Sequence, residues 1–330
     1  MTNPIRSTRR RAIALAAGLG AALLAGGALA QNNYPNKPIT LMVAYPAGGD
    51  TDAIARLLAE KLSARVGQPV LVDNRPGASG TIGTGHVAKA APDGYTLLLA
   101  PSTFSIAPLV LKAGTPAYDV LNGLTPIVQI GTQPMLVTVS ATTGIKSIKE
   151  LVAKAKAAPM TYASPGSGSP MQVMGAMFNK AAGVDIAHVP YRGAAPAVND
   201  LLGGHVPVSY MTLGPVAPHV AAGKVTLLAV ADSKRSSLAP DVPTLEEQGI
   251  RGVEISAWQG VFGPKGLPAE IVNTLNAHFN EIIRMPDVAA RIAVFGAQPA
   301  GGPPSVLAEV NARDYERFGK VIKEFGIQAD

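Results

Sequence analysis

Short apolar runs alternate along this chain with stretches in which apolar residues recur every three or four positions. The runs predict strands at Ile39–Val43, Val70–Val72, Thr96–Ala100, Leu136–Val139, Thr161–Ala163, Ile186–Val189, Val206–Met211 and Thr226–Ala231. The helical period predicts a helix over Asp52–Val66, with Ile54, Leu57, Leu58 and Leu62 on one face, and a second over Ile82–Ala90. Ser147 and Glu150 form a capping-box signature that opens a third. Helices around Gln172–Ala182 and Pro196–Leu202 separate the later strands, and two C-terminal helices start near Pro268 and Ser305. Strand-helix alternation of this kind builds parallel sheets covered by helices, an α/β fold. There are enough strands for two sheets. No fixed-period repeat occurs and no stretch reads as a free tether, so two domains joined by crossing strands fit the pattern.

The first thirty residues stand apart. Arg6, Arg9, Arg10 and Arg11 precede an apolar, acid-free run from Ala12 to Leu29 that ends in Ala28-Leu29-Ala30. A charged start, an apolar middle and a small-x-small end are the layout of a cleaved export signal, against the alternative of a permanent anchor. Thr8-Arg9-Arg10 hints at a twin-arginine route. This segment also explains the charge. The full chain of 330 residues carries a net +6, but residues 1–30 hold four arginines and no acidic residue. Their removal leaves 24 basic against 22 acidic residues, and no run of five Lys or Arg follows Gln31. The composition therefore offers nothing for nucleic acid to bind. With no cysteine in the chain, a disulfide scaffold, a thiolate metal site and cysteine catalysis are excluded.

In open parallel sheets, ligands sit beyond the carboxyl ends of the strands. Five such ends here are Gly/Ser/Thr-rich turns: Ala44–Asp52, Pro101–Ser105, Ser164–Pro170, Pro190–Pro196 and Thr212–Gly214. A helix start carries unpaired N–H groups and about half a positive charge. Glycine lets a ligand approach the backbone closely. Several such ends brought together make an anion site without many cationic side chains, and Arg192 is the one cation in these turns. A carboxylate held by backbone amides and hydroxyls is the expected ligand. The plainer alternative is that short strand-helix connections simply need these residues. Asp50, Thr51 and Asp52 suit capping of the first helix, and Ser169 before Pro170 suits capping of a later one. Arg192 faces either a ligand or loop carbonyls, and Asp200 faces solvent or the other domain. Tyr45 and Trp258 are candidates for stacking or for packing.

Catalytic signatures are sparse. His86, His188, His205, His219 and His278 lack metal-ligand spacing. No Gly-x-Ser-x-Gly elbow and no phosphate-loop lysine occur, and Gly83-Thr84-Gly85-His86-Val87-Ala88 is not at the first strand-helix turn. The expectation is a binding protein without metal or cofactor. The alternatives are an exported α/β hydrolase using Ser102 or Ser167, and an orphan periplasmic sensor component.

Several stretches then carry a resemblance. They are Tyr45–Gly49 with Asp52, Asn74–Gly80, Pro92–Leu98, Tyr162–Ser164 through Gly168-Ser169, His188–Gly193, Pro196-Ala197 with Asp200–Gly204, Pro218-His219 with Ala222–Lys224, Pro240–Thr244 with Glu247 and Gly249, and Trp258 with Gly260. In order and spacing the chain from Tyr34 onward resembles the periplasmic solute-binding proteins of tripartite tricarboxylate transporters, the Bug proteins. The resemblance implies a type II periplasmic-binding-protein fold with a ligand cleft between two domains. It implies one domain from residues 31–131 and 255–330 and another from 132–254, with crossings near Thr132 and Glu254. It implies a monomer in the periplasm that takes a small organic carboxylate, partly through ordered water, to integral membrane transporter subunits. The implied ligand residues are Tyr45, Ala47, Gly48, Gly49 and Asp52, then Ser102 and Thr103, then Ser164, Gly166, Ser167, Gly168 and Ser169, then Tyr191, Arg192 and Gly193. Where the family often has His and Glu after the Ser/Gly loop, this chain has Gln172 and Ala176, and Pro207 stands where Asp is frequent.

Overall fold

The computed structural model describes residues 34–111 and 118–328, so the expected leader lies outside the described residues. Tyr34–Asn36 carry no helix or strand, and the body described below starts at Lys37. Its first strand, β1 (Ile39–Val43), has Ile39, Leu41 and Val43 fully buried on one face and Met42 1% exposed on the other, as a strand covered on both faces requires. Helix α1 (Asp50–Val66) lays Ile54, Leu58 and Leu62 onto the sheet and stops at Gly67, whose φ of 68° closes the last turn. There follow β2 (Val70–Asn74), α2 (Thr81–Ala88), β3 (Thr96–Pro101) and α3 (Thr103–Val110). Strands β2, β1 and β3 are parallel neighbours in that order.

The strand expected at Leu136–Val139 is the end of a longer one, β4 (Leu124–Ser140). Pro126, Gly131 and Pro134 break its apolar run, and register shifts near Pro126 and Gln129 break its period, which hid its first half. Beyond it come α4 (Ile148–Ala157), β5 (Met160–Ser164), α5 (Pro170–Ala182), β6 (Ile186–Pro190), α6 (Ala194–Gly203), β7 (Val208–Thr212), α7 (Leu213–Ala221) and β8 (Val225–Val230). The Ser147 hydroxyl accepts from Glu150 N at 3.2 Å, and Glu150 accepts from Lys146 N, one residue ahead of the reciprocal bond of a standard capping box. The chain ends with β9 (Ser256–Pro264), α8 (Ala269–Arg284), α9 (Pro286–Val294), β10 (Gln298–Pro299) and α10 (Pro304–Phe325). Strands β9 and β10 and helices α3, α7 and α9 have no range among the expected elements.

The strand order is β2-β1-β3-β9-β4-β7-β5-β6, with β8 and β10 also on β4. The crossing is made by β4. Residues Leu124–Pro134 pair antiparallel with β9 in the first sheet, and Met135–Val139 pair with β7 in the second. Each sheet has a block of parallel strands, β2-β1-β3 in the first and β7-β5-β6 in the second, and the crossing strands join that block antiparallel. One apolar core joins Trp258, Phe262, Phe104 and Leu307 under the first sheet. The larger one joins Val137, Tyr162, Phe178 and Tyr210 under the second, and it also takes Ile106 from α3 and Phe318 and Ile322 from α10. Burying each such side chain contributes roughly 1.5–3 kcal/mol. Trp258 is packing: it is 1% exposed, and its Nε1 donates to Asp314 Oδ2 at 2.8 Å. Among the described residues no helix is long and apolar enough to cross a membrane.

Candidate functional site

In the first lobe, the turn after β1 is tied down by Asp52. Its carboxylate accepts from Gly48 N at 2.9 Å, Arg56 Nε at 3.0 Å and Asn74 Nδ2 at 3.0 Å. Burial works to raise its pKa, but these three donors and the Arg56 charge outweigh it and hold the carboxyl below the usual range. Asn74 Nδ2 also donates to Tyr45 O, and Arg56 reaches Asn74 Oδ1. Asp52 therefore shapes the turn, and Asn74 joins it in a role that sequence reading did not assign. Ala47, Gly48 and Gly49 stay exposed, with Gly48 at φ 88°. The Tyr45 hydroxyl donates to Ser79 O at 3.1 Å and meets the Thr103 hydroxyl. Desolvation pushes its pKa well up, Thr103 works the other way, and Asp50 adds to the rise.

The Ser79 segment is strained. Ala78 and Ser79 have φ of 44° and 53°, a region that costs ordinary residues energy and persists where surroundings demand it. Ser79 Oγ donates across to Ser167 O at 2.8 Å. Ser102 is 1% exposed, and its N donates to Trp258 O.

In the second lobe, the turn after β5 is held without a carboxylate. Gln172 Oε1 accepts from Gly168 N at 2.7 Å, and the Ser169 hydroxyl accepts from Gln172 N at 3.3 Å, the expected cap. Ser164 Oγ lies 2.6 Å from His188 Nε2 and also meets Gly166. The turn after β6 is bonded to it through Tyr191 N to Ser164 O and Gly193 N to Pro165 O. The Tyr191 hydroxyl donates to Asp200 at 2.6 Å; burial and this partner push its pKa up to about 12. Arg192 is exposed, and its side chain makes no ion pair among the described residues.

The expected residues thus fall into two groups that meet. Tyr45, Thr103 and, through Asp52, the Gly48 turn form one side. Ser164–Ser169 and Tyr191–Gly193 form the other. Ser79–Ser167 is the bond between them, and a Cβ on Gly168 would strike Val110 and Ala107 of α3. The fifth turn, Thr212–Gly214, lies against Phe295 and Gly296, where backbone approaches backbone too closely for any side chain. Of the five helices entered from these turns, α5 has a side-chain cap from its N-cap residue and α1, α3, α6 and α7 do not. In α1 the Asp50 carboxylate accepts from Thr51 N at 2.9 Å, and the α7 start is packed against the Phe295–Gly296 backbone. In α3 and α6 no side chain among the described residues accepts from the first N–H groups, which suits them to water or a ligand. Ser79 was legible as part of a Gly-rich stretch, but no local signal marked it as the bridge.

Known proteins agree with this architecture. The solved structure of the periplasmic binding protein BugD is 34% identical, with a TM-score of 0.82, covering 90% of this chain and 100% of that one. An R. palustris protein solved with adipate is 33% identical at a TM-score of 0.84, covering 89% and 99%. MatC from Rhodopseudomonas palustris with bound malate is 31% identical at a TM-score of 0.80, covering 88% and 100%. These likenesses establish the two-domain type II fold. The pattern of the tripartite tricarboxylate transporter family receptor matches residues 54–327, and the chain belongs to that family of periplasmic solute-binding proteins.

Proposed function

We propose that the mature protein captures a small organic carboxylate in the periplasm and delivers it to integral membrane subunits of a tripartite tricarboxylate-type transporter, as a monomer and without chemistry. The observation that carries this reading is the pair of helix starts without a side-chain cap, α3 at a first-lobe turn and α6 at a second-lobe turn. Closure places an anion among these amides, where a low dielectric strengthens their pull. The adipate and malate in two similar structures support the ligand class. The ligand groups are Tyr45, Ala47–Gly49, Ser102, Thr103, Ser164, Gly166–Ser169 and Tyr191–Gly193, with Asp52 acting through the loop it holds. The change of partners in β4 supports domains of 31–131 with 255–330, and of 132–254. The basic and apolar leader supports export and cleavage after Ala30.

A hydrolase built on Ser102 or Ser167 finds less support, since the serine in contact with a histidine is Ser164, which is fully buried. A thermal-shift screen of the ligand-stripped protein over di-, tri- and aromatic carboxylates tests the reading. At 100 times its dissociation constant a ligand adds about 2.7 kcal/mol. At about 2–4 °C per kcal/mol that is a shift of roughly 5–10 °C. No shift with any organic acid would overturn it.

A further inference from the structure

Between β2 and α2 the chain runs through Gly77, Ala78, Ser79 and Gly80, all at positive φ: 133°, 44°, 53° and 89° in turn. Glycine takes such values freely, whereas a Cβ penalises them at Ala78 and Ser79. A strained backbone of this kind persists only where its neighbours hold it. Inside the first lobe those neighbours are Thr81 and Tyr45. Thr81 Oγ1 donates to Ala78 O at 2.8 Å, and the Tyr45 hydroxyl donates to Ser79 O at 3.1 Å. The Tyr45 ring lies so close to Gly80 that a Cβ there would come within 2.9 Å of its Cζ.

The Ser79 hydroxyl takes no part in this support. It donates to Ser167 O of the second lobe at 2.8 Å. Ser79 thus touches a residue of each lobe's turns, Tyr45 through its carbonyl and Ser167 through its hydroxyl. Both serines are half-buried, at a rim that water enters once the lobes part. Separation of the lobes breaks the Ser167 contact and leaves the Tyr45 contact, so the hydroxyl bond belongs to the closed arrangement alone.

We propose that Ser79 is the latch of the closed protein, its hydroxyl tying the first lobe to the Ser167 turn after an acid has bound. The acid enters while the lobes are apart, before this bond forms, and leaves only after it breaks. The hydroxyl therefore governs release rather than entry. Ser79 is a positioning residue that need not touch the acid. This rests on the binding reading above.

Surface plasmon resonance on the ligand-stripped protein tests it, with whichever of succinate, malate, adipate, citrate and benzoate gives the largest thermal shift. Ser79→Ala removes the hydroxyl and keeps the strained backbone. Ser79→Gly removes the hydroxyl and relieves the strain. Both should release the acid about three- to tenfold faster, the worth of one neutral hydrogen bond, and take it up within about twofold of the wild-type rate. Thr81→Ala removes a bond inside the segment and should leave both rates within about twofold of wild type. Should Ser79→Ala fail to fold, Ser79→Gly set against Thr81→Ala carries the test. Unchanged release in both Ser79 variants, wild-type release in Ser79→Gly alone, uptake slowed as much as release is quickened, or an equal acceleration by Thr81→Ala overturns this inference alone. Failure of every acid to bind overturns the binding reading and this inference with it.

Discussion

The turns after β1 and β5 solve one problem with different chemistry. Each holds a glycine at positive φ, Gly48 at 88° and Gly168 at 75°, one residue before the helix cap. In each, the side chain of the third helical residue reaches back to that glycine's N–H, Asp52 at 2.9 Å and Gln172 at 2.7 Å. The first-lobe acceptor is a charge, balanced by Arg56 and Asn74. The second-lobe acceptor is neutral, and Ser169 caps its helix instead. A buried carboxylate demands balancing donors, so the first turn is the more charge-dependent. The second turn holds its glycine without a negative charge, as the proposed anion site would require.

Removing the two acceptors should show the largest difference. Asp52→Ala strands Gly48 N, Asn74 and the Arg56 charge together. Arg56 is half exposed, so the loss should fall below that of a fully buried pair, about 2–4 kcal/mol. Gln172→Ala strands one buried amide and should cost about 1–2 kcal/mol. Urea unfolding at neutral pH measures both, and equal losses would erase the distinction between the turns.

Exchanging the charges should be next in size. Gln172→Glu places a carboxylate on a side chain 8% exposed with no cation bonded to it. Ligand affinity at pH 7 should fall at least tenfold, by repulsion of the bound acid and by distortion of the turn. Unchanged affinity in calorimetry would place the anion away from this turn.

Acid should then act on one turn alone. The folded pKa of Asp52 is lowered, so its contribution is complete above the unfolded value of about 3.9 and fades as pH falls through the lower folded one. Wild type should therefore lose its advantage over Asp52→Asn on acidification below about pH 4, whereas its advantage over Gln172→Ala should stay level. Parallel melting curves from pH 6 to 2.5 read this directly.

The parallel strands and the helices that cover them were visible as apolar runs and helical periods, because Ile39–Val43 or Asp50–Val66 repeat one simple pattern over a whole element. A crossing was expected near Thr132 from the resemblance, but the two strands that run there, the first half of β4 and all of β9, were not visible as patterns. In β4 and β9 the polar Gln129, Gln133 and Gln259 are buried, so apolar character no longer marks the inside. The turns were legible as glycine-rich strand ends, and Ser169 as a cap. The roles of Asn74 and Ser79 come from partners 22 and 88 residues away, a separation that local pattern does not encode. Gln172 departs from the residue the family often has there, while its bond to Gly168 N depends on the fold of the turn.

The smallest effect on stability belongs to Arg192, and it separates the lobes most cleanly as binding surfaces. Its side chain is exposed and makes no ion pair among the described residues, one position before the uncapped start of α6 at Gly193. Arg192→Ala should therefore shift stability by no more than about 0.5 kcal/mol. If the second lobe receives the carboxylate, the same change should weaken binding about five- to twentyfold at low salt. The loss should shrink as ionic strength rises, since exposed charges are screened within about 8 Å at physiological salt. An affinity that does not move would mean that the helix starts alone hold the anion, and that the second turn contributes its amides and its lack of negative charge rather than its one cation.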